Sequence, residues 1–252
     1  MNSIITGTHI VKTYGKGAEQ AMALNGVDVD ITEGEFVAVM GPSGSGKTTL
    51  LFALSGMDEI TEGTVKFGDT ELAGLRGNAL ADLRRTRMGF IFQQPTMLRN
   101  LNLLDNIMLP AVQDSKRNTV ELLLKARDLM IQTGIAGLEN RDTTEVSGGQ
   151  LQRAGICRAL INTPEILFAD EPTGALNSKT AEEIMELLAG INQGGTAIML
   201  VTHDAKVAAR ADRVLFTRDG NIVSELILPK FSGGELEARG EKVLARMAAT
   251  GI

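Results

Sequence analysis

One eight-residue stretch, Gly41-Pro42-Ser43-Gly44-Ser45-Gly46-Lys47-Thr48, limits what this chain can fold into more than any other. Before it runs Phe36–Met40, wholly apolar, the pattern of a strand buried on both faces. After it, Thr48–Ser55 reads as a helix. Strand, glycine-rich loop and helix in that order make a phosphate cradle. Glycines let backbone N–H groups close around phosphate oxygens, and the helix turns its positive dipole end to the anion. Lys47 has the reach for β- and γ-phosphates, and Thr48, followed by Thr49, offers a hydroxyl to Mg²⁺. The plain alternative is a Gly/Ser linker that happens to hold a lysine; the flanking strand and helix argue against it.

A second constellation lies far along the chain. Ile166–Ala169 is an apolar strand ending in Asp170-Glu171. Carboxylates at the carboxyl end of a strand sit where ligands bind in open α/β sheets. Asp170 is expected to hold Mg²⁺ through water, and Glu171 to act as the general base on an attacking water. Alone, this pair would read as a solvated acidic turn helped by Pro172 and Gly174. Beside a phosphate loop, metal, base and Lys47 cover most of what phosphoryl transfer needs.

Composition sets the outer limits. The 252 residues are 43% hydrophobic and 22% charged, enough for a sizeable core and unlike a disordered chain. A net charge of −6 lacks the cationic field of a non-specific nucleic-acid binder, and no nucleic-acid partner is expected. One cysteine excludes a disulfide framework, and two distant histidines, His9 and His203, leave little for a nitrogen-ligated metal site. Apolar runs such as Thr196–Val201 stop far short of the ~18–20 residues of a membrane helix. Met1–Val11 has no charged segment leading into an apolar one. A soluble protein of a reducing compartment is expected, held at any membrane by something else.

Along the chain, the first 40 residues read as short strands, Val27–Ile31 alternating apolar and charged. Thr64–Phe67 and Gly89–Phe92 read as further strands, the latter inside a polar, basic stretch, Leu75–Arg99, that includes Arg76. Thr119–Gly134 is helical, with Val120, Leu123, Leu124 and Leu129 near one face. Helices at Gln150–Ile161, Ser178–Ala189 and Ala205–Ala211 alternate with strands at Glu165–Ala169 and Thr196–Thr202, which implies a parallel sheet. A hairpin, Arg213–Thr217 with Ile222–Leu228, and an amphipathic helix, Glu235–Met247, close the chain. The strands before and after the parallel core are expected to form a second, antiparallel layer, and residues 98–160 a helical subdomain.

Ser147-Gly148-Gly149-Gln150, at the start of a helix, is a second small-residue anion site, or a simple helix cap. Together with Gln152-Arg153 and the strand ending Asp-Glu, it resembles the nucleotide-binding subunit of an ABC transporter, over about residues 3–228. The resemblance implies a P-loop NTPase (RecA-like) α/β core with an antiparallel β subdomain and an α-helical subdomain. The cassette would span residues 1–228, with a helical tail over 229–252. It implies ATP and Mg²⁺ as ligands, and a head-to-tail homodimer in which Ser147–Gln150 meets the γ-phosphate held by the partner. Tyr14 falls where the family places an aromatic on adenine, Gln93 matches the glutamine that meets Mg²⁺ and water, and His203 matches the histidine that contacts the γ-phosphate. One departure is Asn177, where the family usually has Asp, which keeps shape and hydrogen bonding but loses charge. Gly89–Gln93, Asn106–Pro110 and Ala169–Leu176 resemble the branch of macrolide/peptide exporters, lipoprotein-release ATPases and bacitracin-type peptide-resistance systems. The expectation is an ATPase that powers a separate membrane permease from its cytoplasmic face. A soluble or cell-division ATPase of the same type, and a nucleotide sensor with little turnover, are the competing readings.

Overall fold

The computed structural model describes residues 2–15, 17, 20–75, 77–112 and 118–252. Arg76 of the basic stretch and residues 113–117 of the expected helical subdomain lie outside the described residues. Elements are numbered in chain order. The centre of the molecule is β3 (Phe36–Met40), every residue of which is buried, as the uninterrupted apolar run requires. It pairs in parallel with β8 (Ala197–Val201), also buried throughout, and with β9 (Arg213–Arg218). β7 (Ile166–Asp170) follows β8, and β6 (Met88–Phe92) follows β7, all parallel. β10 (Asn221–Ile227) closes the far edge antiparallel to β9, giving the order β10-β9-β3-β8-β7-β6. Phe92 stands opposite Asp170, Asp170 opposite Val201, and Val201 opposite Val39. The phosphate loop, Gln93, Glu171 and His203 therefore all leave the sheet from one edge.

The second sheet, β2-β1-β4-β5, is antiparallel: β1 (Ser3–Tyr14), β2 (Ala21–Thr32), β4 (Glu62–Phe67) and β5 (Thr70–Glu71). Two expectations need correction here. β1 and β2 are 12 residues each, held as one long pair with bulges, not short strands. The strands after the core do not join the antiparallel layer: β9 extends the parallel sheet through β3. The hairpin pattern is local, whereas the docking of β9 on β3 is not; β9 has four consecutive buried residues, and of the two only β10 is an edge strand. α1 (Lys47–Leu54) lies between the sheets; Leu50 and Leu54 share a core cluster with Ile5, Ile31, Phe67 and Phe168. Phe168 stacks on Phe90 at 5.7 Å between ring centroids, a cross-strand pair that ties β6 to β7.

A separate core joins α3 (Leu103–Val112), α4 (Thr119–Gln132) and α5 (Gly148–Leu160). In α4 the buried face is Leu122, Ala126, Leu129 and Met130, while Val120 and Leu124 are more than half exposed. Of the expected face, Leu129 is buried and Leu123 packs against this core, while packing against α3 and α5 turns Val120 and Leu124 outward and brings in Leu122, Ala126 and Met130. Inside the basic stretch lies α2 (Asn78–Arg87), a helix with no buried residue. Leu80 and Leu83 pack half-buried against the core, and arginines pin the rest: Arg84 donates to the Gly56 carbonyl, Arg85 to Pro110, and Arg87 to Glu165. α6 (Ser178–Gln193), the four-residue α7 (Ala205–Ala208) and α8 (Leu236–Thr250) cover the other face of the parallel sheet.

Candidate functional site

The phosphate loop is held from below. Gly46 caps α1 at φ 95° with no side chain to occupy the first N–H groups, and a Cβ there would sit 2.5 Å from the Ala23 carbonyl. Gly41 has the same constraint: its Cβ would fall 2.3 Å from the Thr217 carbonyl. The Ser45 hydroxyl is buried against Thr217 Oγ1 at 2.8 Å, and Thr217 donates to the Met40 carbonyl. Ser45 thus braces the loop with its side chain, while Pro42, Ser43 and Gly44 border the cleft. Gly220, at the β9–β10 turn, donates to the Ser45 carbonyl and accepts from Asn25 N–H. Neither Thr217 nor Gly220 was singled out from sequence as part of the site; Asp219-Gly220 signals a turn, and nothing local signals where that turn docks.

The cleft above the loop has a volume of about 680 Å³, within the range of small-molecule sites, and reaches from Ala23 and Thr49 to Glu171 and His203. Lys47 is buried and folds back, donating to the carbonyls of Gly41 (2.9 Å) and Pro42 (2.8 Å). Burial lowers its pKa, against the opposing pull of Glu171 and Asp170. Thr48 donates to Asp170 Oδ1 at 3.0 Å. Burial raises the Asp170 pKa; the Thr48 hydrogen bond and the Lys47 charge pull it down, and the Glu171 charge pushes it up.

Glu171 has φ 47°, a left-handed conformation rare for a side-chain-bearing residue. Its N–H still bonds the Val201 carbonyl at 3.0 Å, so the chain turns sharply just after the sheet ends. That turn sets Glu171 Oε2 2.9 Å from His203 Nδ1. A Cβ on Gly174 would meet Gln93 Nε2 at 2.8 Å and Glu171 Oε2 at 3.3 Å, so both side chains lie over one bare Cα. Lys47, Thr48, Asp170, Glu171, Gln93 and His203, drawn from four segments, thus gather along one edge. The His203 side chain is 70% exposed and open to whatever enters.

Ser147–Gln150 stand apart from this cleft as a group. Ser147 caps α5 through a full capping box: its hydroxyl accepts from Gln150 N–H and Gln150 Oε1 from Ser147 N–H. Gly149 packs against α6, where a Cβ would strike Thr180 at 2.5 Å, and a Cβ on Gly148 would meet Leu176 at 4.0 Å. None of Ser147, Gly148, Gly149 or Gln150 borders the phosphate cleft of its own chain. Asn177 caps α6, accepting from Thr180 N–H at 3.0 Å. Tyr14 lies at the end of β1, 44% exposed, its hydroxyl donating to Asp58 at 2.7 Å with the Lys12 ammonium 4.7 Å from the ring centre. A second cavity, of about 840 Å³, runs from Glu171 and His203 between α6, α7 and α8.

The sequence profile of the ABC transporter family matches residues 24–174. The bacitracin export ATP-binding protein BceA of Halalkalibacterium halodurans is 40% identical over 226 residues, 89% of this chain and 88% of that protein. The macrolide export ATP-binding/permease protein MacB of Escherichia coli K12 is 41% identical over 223 residues, 88% of this chain. This chain spans only 34% of MacB's length. Among solved structures, the dimeric, post-hydrolysis ATP-binding cassette MJ0796 with ADP and Pi superimposes with a TM-score of 0.83, at 38% identity, over 90% of this chain and all of that one. On sequence, fold and the arrangement of its cleft, the chain belongs to the ABC transporter family, as an ATP-binding and ATP-hydrolysing cassette.

Proposed function

We propose that ATP hydrolysis in this cleft drives a separate membrane permease that exports or clears a peptide, antibiotic or lipid-linked substrate. The permease and substrate class follow from likeness to the bacitracin and macrolide export proteins. Among the described residues no helix is long and apolar enough to cross a membrane, so the permease would supply the membrane attachment. Residues 1–228 are the cassette in this reading, and 229–252 a tail.

The observation that carries the chemistry is Glu171, fixed by a left-handed turn between His203 Nδ1 and Gln93 and facing the Lys47 loop. Lys47 would exchange its two loop carbonyls for β- and γ-phosphate oxygens, and the open N–H groups behind Gly46 would take the rest. Gly41–Thr49 form the cradle, and Tyr14 supplies an aromatic face for adenine. The hydroxyl of Thr48 and the carboxylate of Asp170 are hard oxygen donors, the kind that suits Mg²⁺, with Gln93 as a third. When bound, the ion neutralises charge on the β- and γ-phosphates. Glu171 then takes the proton of the attacking water, and His203 orients the γ-phosphate. The capped helix start Ser147–Gln150 reaches the γ-phosphate of a second copy, so two chains join head to tail over two ATP molecules. Dimeric cassettes of this fold support that arrangement.

Glu171→Gln should bind ATP and accumulate as dimer while hydrolysis falls about 10²–10⁴-fold, measured by phosphate release and size-exclusion chromatography. Near-normal turnover would remove Glu171 from the role of base. For the partner, affinity purification of the native complex from membranes should recover a multi-span permease; recovery with soluble or cell-division proteins alone would overturn the permease assignment.

A further inference from the structure

We infer that the C-terminal helix α8 positions His203, and that Arg239 is the residue through which it does so. This rests on the reading of His203 as the γ-phosphate contact. His203 opens the short segment that joins β8 to β9, whose alanines and Val207 enter the core. Thr202 Oγ1 accepts from Asp204 N–H at 3.0 Å, and Asp204 caps α7 by accepting from Lys206 N–H at 2.7 Å. α7 lasts four residues, its hydrogen bonding running on through Arg210 N–H to the Val207 carbonyl and Ala211 N–H to the Ala208 carbonyl before Asp212, whose N–H bonds the Phe36 carbonyl at 2.7 Å. A single turn of helix has little stability of its own. The segment also carries a liability: Arg210 is 6% exposed, and its Nε is buried with no hydrogen-bond partner among the described residues.

Arg239 makes up the deficit from outside. It is 2% exposed, yet all three guanidinium nitrogens are engaged. Nε donates to Ala209 O at 2.6 Å, Nη2 to Ala211 O at 2.7 Å and Nη1 to Pro229 O at 2.5 Å. Phe231 lies over the guanidinium with its ring centre 5.4 Å away. One turn further along α8, fully buried Val243 enters the same core as Ala208 and Ala209. The planar fork thus ties the carbonyls at the end of α7 to the tail, which fixes where α7 begins and so where His203 points. A lysine ammonium could serve one or two of these carbonyls but not all three in this geometry. Burying a charge to tie down a chain end is costly unless its hydrogen bonds are met, and here two of the three are met by the segment that carries His203 and the third by Pro229.

The test is a mutant cycle in the full chain. Arg239→Gln should lower kcat for ATP hydrolysis about 10-fold, the scale of a small misplacement, while KM and fluorescent-nucleotide binding change less than about 2-fold. Arg239→Lys should recover part of kcat. In a His203→Ala background, Arg239→Gln should add less than about 2-fold, because its effect passes through His203. The chain has only two histidines, so the His203 imidazole resonance can be assigned by comparison with His203→Ala, and it should move in Arg239→Gln. If Arg239→Gln lowers Tm but leaves kcat and that resonance unchanged, or if its effect multiplies with that of His203→Ala, the positioning role is refuted. Should His203→Ala itself hydrolyse normally, the reading of His203 fails, while a moved resonance in Arg239→Gln would still show the tail reaching it.

Discussion

The starts of α1 and α5 both read as anion sites, and they are built differently. α1 opens at Gly46, which offers no cap, so its first N–H groups are left for a ligand, with Lys47, Asp170 and Glu171 around them. α5 opens at Ser147 inside a closed capping box, its N–H complement partly used and Gly149 packed on Thr180. In the proposed function the first would bind a polyphosphate unaided. The second can only add to a charge already held by something else, which is what a head-to-tail partner would present.

The sharpest way to break this contrast is at Lys47. Lys47→Ala should weaken ATP binding by at least about 10²-fold, read by fluorescent-nucleotide titration, because among the described residues it is the one Lys or Arg that lines the cleft. An unchanged Kd would mean the loop is not the primary site. Ser147→Asp comes next. Aspartate caps as well as serine, so the thermal midpoint should stay within a few degrees. Its charge opposes a γ-phosphate, so dimer formation and hydrolysis should fall at least about 10-fold. If Ser147→Asp hydrolyses normally, Ser147 is a cap and nothing more. Asn177→Asp keeps the cap on α6 and adds a charge at a helix N-terminus, which should raise stability by about 0.3–1 kcal/mol in urea titration.

The smallest effect near neutrality belongs to Cys157, buried in α5 against Thr133 Oγ1. Burial pushes its thiol up to about 11 from an ordinary 9.0. The unfolded thiol therefore ionises first: stability is untouched below pH 9 and is lost as pH rises towards 11. Urea midpoints at pH 8 and 10.5 should differ less in Cys157→Ala than in the native chain.

How much of this could be read in advance varies with how local the cause is. β3, the loop and α1 follow from a few adjacent residues, and β3 matches its expected bounds. Asp170 and Glu171 were legible because an apolar strand stops at two carboxylates. The buried face of α4 was legible only in part, since two apolar stripes share one helix and only its neighbours choose between them. α2 gave a weak hydrophobic pattern because only Leu80 and Leu83 meet the core and arginines supply the rest of its anchoring. Arg239 read as one charge in an amphipathic tail; only the fold shows which carbonyls it meets.

Gly220 sits at the tip of a two-stranded hairpin, ordinarily a place where chains gain and lose residues freely. Here the tip is wedged between β2 and the phosphate loop, bonded to Asn25 on one side and Ser45 on the other, and a Cβ would stand 2.9 Å from the Ala23 carbonyl. An epitope tag or an extra residue at this tip would dislodge the floor of the nucleotide cleft. The turn at Gly68, where a Cβ meets nothing within 4 Å, is the better address for a label or an insertion. Length variation in this molecule should therefore collect at the rim of the antiparallel sheet and be purged from a turn that, by its composition, looks equally free.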